Sequence, residues 1–276
     1  MVRYLTGAAA LILVASMPLA ARAQEAGAEP PTIETALELF YNGRYGDAAA
    51  IANDLCVADE VSALDACELR TSALHFRLRR LIGDVKDKNK AFAQCAECPE
   101  LLATFAADTR RAQQVARAHL KTNPTDFEVL FFLGRLDLNY VWLQLGTLGR
   151  KTGWNEYWEA RRSLDAVLKQ HPGHIRAKVA RAWIDYIVDT KMPFATGWLL
   201  GGGSKKKGLQ AVREAAVAEA DTYVRAEAGF ALWDMQVREK KIPDALTTAQ
   251  MLAEGFPANP ELQKFLATHT PPAAVR

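Results

Sequence analysis

The sequence predicts an all-α fold, and three observations support that prediction. Segments rich in alanine, leucine, glutamate and arginine follow one another along the 276 residues, with few runs of β-branched residues. Proline or glycine falls at the breaks between these segments. An alanine also recurs at a fixed distance before a proline that would end a helix. We therefore predict consecutive helices without a β-sheet.

The alanine and the proline are twelve residues apart in three places: Ala112 with Pro124, Ala160 with Pro172, and Ala245 with Pro257. A small side chain in a helix lets a second helix approach closely, because there is little bulk between the two backbones. The proline then stops the helix before the next pair begins. This spacing predicts helices that pack in pairs.

These positions resemble the tetratricopeptide repeat, a hairpin of two helices, A and B. Its pattern has an alanine in helix B, a small or apolar residue four positions later and a closing proline, while Leu133 and Gly134 look like the Leu-Gly pair of helix A. Ala211 and Ala245 are 34 residues apart, which is the period of the family. The intervals from Ala112 to Ala160 and on to Ala211 are 48 and 51 residues, which predicts extended helices or inserted loops.

The resemblance implies a right-handed α-solenoid of about five degenerate hairpins over residues 32–267. The predicted pairs are 32–42 with 45–56, 61–82 with 101–122, 126–147 with 154–170, 174–190 with 207–220, and 222–239 with 243–255. A short closing helix follows, and insertions are predicted near 83–100 and 191–206. Residues 24–31 and 268–276 are rich in proline and alanine and are predicted to be disordered.

The first 23 residues have the pattern of a cleavable secretory signal peptide. Arg3 precedes an uncharged, apolar run from Leu5 to Ala20, and Ala21-Arg22-Ala23 places small residues at the positions that a signal peptidase reads. The apolar run is shorter than the roughly 20 residues that a transmembrane anchor requires. We therefore expect export across the inner membrane and a periplasmic location, with no stable membrane span after cleavage.

The charge balance of the mature chain disfavours nucleic acid as a partner. Loss of Arg3 and Arg22 with the leader leaves 32 basic side chains against 32 acidic ones. A nucleic-acid-binding domain normally carries a basic excess. Beyond the leader, even the most apolar segment, from Phe127 to Leu145, is interrupted by Arg135 and Asp137.

The four cysteines form an even set, which favours disulfides in an oxidising compartment. We expect Cys56 to pair with Cys67 and Cys95 with Cys98, although four cysteines allow three connectivities. Cys95 and Cys98 form a Cys-x-x-Cys motif, but no βαβ context surrounds it, and a zinc site would need two further ligands. Structural disulfides are therefore preferred, and thiol–disulfide chemistry at Cys95 and Cys98 is kept as an alternative.

The stretch GWLLGGGSKKKG, at 197–208, raises the question of a phosphate-binding loop. Gly197 and Gly202 have the spacing of a P-loop, but Gly203 stands where the lysine is required, and a helix rather than a strand precedes the stretch. We read it instead as a candidate interaction loop, with apolar anchors beside a basic helix end that suits an anionic ligand near 204–208. Its residues are Phe194, Trp198, Leu199, Leu200, Lys205, Lys206 and Lys207.

No catalytic constellation is evident in the sequence, and we expect neither enzymatic activity nor a cofactor. The resemblance to tetratricopeptide repeats implies protein–protein recognition through a concave groove. We therefore expect an exported binding or scaffolding module whose partner is an envelope protein or peptide. A periplasmic carrier of a small ligand is the alternative among binding proteins.

Overall fold

A computed structural model describes residues 30–57, 60–191 and 201–270, and within them the chain is all-helical without a β-strand, as predicted. The helices α1 to α12 are Ile33–Tyr41, Tyr45–Leu55, Leu64–Ile82, Lys88–Gln94, Cys98–Thr122, Phe127–Trp142, Trp154–Gln170, Ile175–Lys191, Lys205–Ala216, Thr222–Arg238, Ile242–Gly255 and Pro260–His269. A 3-10 turn at Val61–Ala63 leads into α3, and a π-helical turn at Leu143–Thr147 extends α6.

Short polar side chains and prolines mark where the helices begin. Asp126 accepts a hydrogen bond from the Val129 amide at the start of α6, and Asp221 caps α10 in the same way. A side-chain cap satisfies one of the backbone N–H groups that have no partner within the helix. Proline occupies one of the first two positions of α5, α11 and α12, where its missing N–H has no consequence.

Three helices end with the same backbone geometry ahead of the recurring prolines. The residues that follow α5, α7 and α11 are Asn123, His171 and Phe256, with φ of −127°, −128° and −130°. Each directly precedes a proline, whose ring disfavours the helical region for the residue before it. The prolines at 124, 172 and 257 thus determine where these three helices stop.

The small residues of the recurring pattern lie inside helix–helix contacts. Ala112, Ala160 and Ala245 are all buried. Gly134 of α6 faces α7 so closely that a Cβ atom there would lie 3.1 Å from Leu164 Cγ. Leu133 is buried, Ala211 is half-buried, and Pro172 and Pro257 are exposed. The alanines and the glycine thus allow neighbouring backbones to approach.

Each helix packs mainly on its neighbours along the chain. Contacts join α1 to α2, α2 to α3, α3 to α5 and α5 to α6, and the same order continues from α6 to α12. The apolar clusters follow this order; one lies between α6, α7 and α8 around Phe131, Leu164 and Ile184. Packing between sequential helices therefore buries most of the core.

Helices from both ends of the described chain also meet. Tyr41, at the end of α1, packs against Tyr223, Phe230 and Phe256. The side chain of Asn259 donates a hydrogen bond of 2.7 Å to the carbonyl oxygen of Tyr41. Since Tyr41 and Asn259 are separated by 218 residues, this contact joins the first helix to the last three.

The cysteines pair as the sequence analysis prefers. Cys56 is bonded to Cys67, which connects the end of α2 to α3. Cys95 is bonded to Cys98 across the junction between α4 and α5. Both pairs therefore link residues that are close in sequence.

Some boundaries differ from those predicted. The insertion at 83–100 contains α4, and α5 begins at Cys98 rather than at residue 101, because Pro99 is well suited to the first turn of a helix. Helix α9 ends at Ala216 rather than at residue 220, and Asp221 caps the next helix. Helix α12 reaches His269 and so includes the start of the predicted tail at 268–276. The predicted signal peptide at 1–23 lies outside the described residues.

Substituting Ala112 by leucine should destabilise the fold, because the new side chain would be forced into the contacts of α5. We expect A112L to lower the free energy of unfolding by about 1–3 kcal/mol. The matched control is A118L, since Ala118 is exposed on the same helix and should tolerate leucine. Urea unfolding followed by circular dichroism measures both, and equal effects of the two substitutions would contradict the packing role of Ala112.

Candidate functional site

The predicted interaction loop is only partly within the described residues. Phe194, Trp198, Leu199 and Leu200 lie outside them. The lysines at 205, 206 and 207 form the first turn of α9, and all three side chains are exposed. The structure therefore describes the basic part of the predicted loop.

The first turn of α9 contains three lysines, and acidic side chains lie close to this turn. Ser204 caps the helix by accepting a hydrogen bond of 3.3 Å from the Lys207 amide, and Asp189 Oδ2 accepts from the Lys205 amide at 2.7 Å. The Lys205 ammonium lies 2.9 Å from Glu239 Oε2. Cations are disfavoured at a helix N-terminus, and these acidic groups offset part of that repulsion. The hydrogen bond from Lys205 also lowers the pKa of Glu239.

Two further lysines lie beside the run at 205–207. Glu239, which pairs with Lys205, is followed by Lys240 and Lys241 in the turn between α10 and α11, and both are exposed. Lys240, two residues beyond the end of α10, has φ of 58°, and its amide donates a hydrogen bond to the Val237 carbonyl. We call the five lysines at 205, 206, 207, 240 and 241 the basic surface.

Two glycines hold the basic surface close to α8. A Cβ atom on Gly203 would lie 2.4 Å from the Asp185 carbonyl oxygen, and one on Gly208 would lie 2.7 Å from that of Ala182. Any larger residue would push α9 away from α8. The Arg161 guanidinium, from α7, donates to the carbonyl of Gly201 at 2.7 Å. The glycine-rich stretch is therefore a packing element in the part of it that is described.

A second group of charged residues lies inside the fold. Four side chains of alternating sign, which we call the charge cluster, come from α3, α6, α8 and α10: Glu68, Arg135, Arg176 and Glu227. Arg135 contacts Glu68 at 3.1 Å and Glu227 at 2.9 Å. Arg176 contacts the same two carboxylates at 3.3 and 2.7 Å. Each arginine therefore bridges both acids.

Glu68 stays charged although it is buried, and the other three members of the charge cluster are half-buried. Burial alone would raise the pKa of Glu68, but Arg135 and Arg176, with hydrogen bonds from Ser72 and Asn139, hold it below its usual value. Burial opposes the charge on Arg176 as well, while Glu227 and Glu68 raise its pKa. Opposite charges at close range favour the charged form of each partner. Each charge in the cluster is therefore stabilised by the opposite charges beside it.

Polar side chains extend the charge cluster along α3 and α6. The amide of Asn139 donates to Thr71 Oγ1 at 3.0 Å and to Ser72 Oγ at 2.9 Å. Further along, His75 Nε2 lies 3.1 Å from Thr147 Oγ1 in the π-helical turn. Burial lowers the pKa of His75 to about 3, so its imidazole is neutral at physiological pH. These hydrogen bonds satisfy polar groups on helix faces that would otherwise be apolar.

A buried carboxyl group lies on the other side of α6. The Asp137 side chain has 0% exposure, and its Oδ1 accepts from the side-chain amide of Gln113 at 2.7 Å. The Arg117 guanidinium lies 3.5 Å from the same oxygen but is engaged mainly with Glu159. Burial, followed by the charge of Glu159, raises the pKa of Asp137 to about 9. Asp137 is therefore protonated at neutral pH.

Sequence reasoning found Lys205, Lys206 and Lys207 but missed the charge cluster and Asp137. The available signal was a single charge within an apolar helical segment, as at Arg135 and Asp137. In the sequence this pattern counts against a membrane span. A charged residue surrounded by apolar neighbours on a helix also predicts a buried ion pair, because burial of a charge requires a partner.

Comparisons with family models, with curated proteins and with solved structures find no match to this chain. Within the described ranges, no group of three or more histidine, cysteine or acidic side chains is arranged to hold a metal ion. No helix among the described residues is both long and apolar enough to cross a bilayer.

Removal of one member of the charge cluster should strongly destabilise the protein. We expect R176M to lower the free energy of unfolding by about 3–5 kcal/mol, because Glu68 and Glu227 would remain buried with one arginine between them. The control is R225M, which removes an exposed arginine from α10. Chemical denaturation of both variants tests this, and a loss below that of the control would show that the cluster is not essential.

The buried carboxyl group should make stability depend on pH. From about pH 4 to about pH 9 the folded chain keeps the Asp137 proton, which the unfolded chain releases, so stability should fall as the pH rises through this range. Between pH 7 and pH 9 this fall should be weaker in D137N, which has no proton to lose. The exposed Asp54 provides the control D54N. Unfolding free energies at both pH values test this, and identical slopes for D137N and the wild type would contradict it.

Proposed function

We propose that this protein is an exported, periplasmic module that binds a partner protein or peptide of the cell envelope and acts as a scaffold. In this proposal its helices form about five tetratricopeptide-like hairpins in a right-handed α-solenoid. The predicted signal peptide supports export. The two disulfides suit an oxidising compartment.

The contact pattern of the helices supports a repeat architecture. The second helix of each proposed hairpin packs on the first helix of the next, as α2 does on α3 and α5 on α6. Such stacking of neighbours is how repeat proteins bury a continuous core. The shared backbone geometry ahead of Pro124, Pro172 and Pro257 indicates that one local pattern is used three times.

The basic surface is the observation that supports binding most directly. It brings together two lysine runs that are far apart in sequence. Among the described residues Lys205 forms an ion pair with Glu239, and Lys241 lies within electrostatic range of the same carboxylate. Exposed lysines that exceed their local acids attract anionic groups and accelerate association. The charge cluster, by contrast, is occupied with its own partners. We therefore assign the partner to the outer basic surface rather than to the inner faces of α3, α6, α8 and α10.

A charge-neutral variant of the basic surface tests this function. We expect replacement of Lys205, Lys206 and Lys207 by glutamine to reduce recovery of crosslinked envelope partners several-fold, because the attraction to acidic groups is lost. The control replaces exposed lysines on other helices and loops, K121Q, K151Q and K169Q, with the same change in net charge. Crosslinking in intact cells, with mass spectrometry of the captured proteins, measures both. If the first variant captures the same partners as the wild type, the basic surface has no role in the proposed function.

A further inference from the structure

The two disulfides differ in accessibility. Cys56 and Cys67 are both buried, each with 6% exposure, and their bond spans eleven residues. The second bond spans only three residues, with Cys98 at 0% exposure and Cys95 partly exposed. Thiol–disulfide exchange requires a thiolate to reach one sulfur atom. Of the four cysteines, Cys95 is the most exposed, so we infer that its Sγ is the atom attacked.

The second bond also lies at the start of the longest helix. Cys98 is the first residue of α5, which has 25 residues, and Glu97 provides no side-chain cap. The positive end of a helix stabilises a thiolate, which lowers the pKa of a cysteine placed there. The apolar surroundings of Cys98 and the carboxylate of Glu100 act in the opposite direction, while the charge of Glu97 is countered by an ion pair with Arg77. The leaving group is thus Cys98, at a helix N-terminus with an uncapped first turn.

The packing of the long helix α5 extends well beyond this bond. Helix α4, which precedes Cys95, has no buried residue, and only its half-buried Ala91 and Phe92 pack against the core. Helix α5 packs along α3 and α6 through residues that include Phe105, Ala112 and Ala116. A three-residue span also restricts the unfolded chain less than an eleven-residue span does. Opening of the bond would therefore leave α5 in place on α3 and α6.

We propose that Cys95 and Cys98 form an exchangeable disulfide that oxidises a pair of thiols in a partner protein. A thiolate of the partner attacks Cys95 Sγ, the bond between the cysteines breaks, and Cys98 leaves as a thiolate and takes up a proton. The partner's second thiolate then attacks the partner's first sulfur atom, which is bonded to Cys95 in the mixed disulfide. This step releases Cys95 as a thiol and leaves a disulfide in the partner, a transfer of two electrons. The inference goes beyond the proposed scaffold and does not rest on it.

Partial reduction of the intact protein tests the first requirement, with the other disulfide as an internal control. We expect reduced glutathione to open the Cys95–Cys98 bond about ten times faster than the Cys56–Cys67 bond, while the far-ultraviolet circular dichroism remains unchanged. In the first product glutathione should be bonded to Cys95, which leaves Cys98 as the thiol available to iodoacetamide. Mass spectrometry of the peptides identifies which bond has opened and which cysteine is labelled. Equal reduction of the two bonds, or loss of helix as the second bond opens, would overturn the proposal.

Single-cysteine variants and a dithiol peptide test the chemistry itself. In C98S the partly exposed Cys95 should form a mixed disulfide with oxidised glutathione, whereas the buried Cys98 that remains in C95S should react about ten times more slowly. A synthetic peptide with two cysteines should be oxidised by the wild-type protein and not by the variant that carries both substitutions. Equal reactivity of the two single variants would exclude Cys95 as the attacked atom. Equal peptide oxidation by the double variant would exclude the activity.

Discussion

The charge cluster is the constraint on which the arrangement of the helices depends most. Its four residues come from α3, α6, α8 and α10, so the bridging distances hold only when all four helices are correctly placed. A buried ion pair adds little net stability, because removing both charges from water offsets their attraction. A misplaced helix, however, would leave a carboxylate or guanidinium buried without a partner, which is strongly unfavourable. The cluster therefore acts against alternative packings more than it stabilises the native one.

Small residues allow neighbouring helices to approach closely enough for this arrangement. Gly134 allows α6 to approach α7, and Gly208 allows α9 to approach the backbone of α8. In α10 a Cβ atom on Gly229 would lie 2.9 Å from Leu252 Cδ2, so α11 also depends on a glycine in its neighbour. Glycine is unfavourable within a helix by about 1 kcal/mol relative to alanine. Its use at three helix contacts indicates that close approach outweighs helix propensity there.

The sequence predicted the helices well because their signals are local. Caps such as Asp126, Asp221 and Asn259 lie directly before the helices that they start, and Pro124 and Pro172 lie just beyond the helices that they end. The contacts between distant helices were not predictable in this way. The hydrogen bond from Asn259 to Tyr41 joins positions 218 residues apart, and nothing in either segment identifies the other. The same holds for Lys240 and Lys241, which join the basic surface only because Glu239 meets Lys205 in space.

The residues that hold the fold and those proposed to act are separate sets, and this separation has a physical origin. A charge inside the protein must be neutralised by its neighbours, as Glu227 is by Arg135 and Arg176, and is then no longer able to attract a ligand. Exposed groups face no such requirement, so an excess of lysines can remain on the surface at little energetic cost. The same reasoning applies to sulfur, since a fully buried disulfide is protected from thiolates and a partly exposed one is less so. Function in this chain is therefore expected where burial is incomplete, at the basic surface and at Cys95.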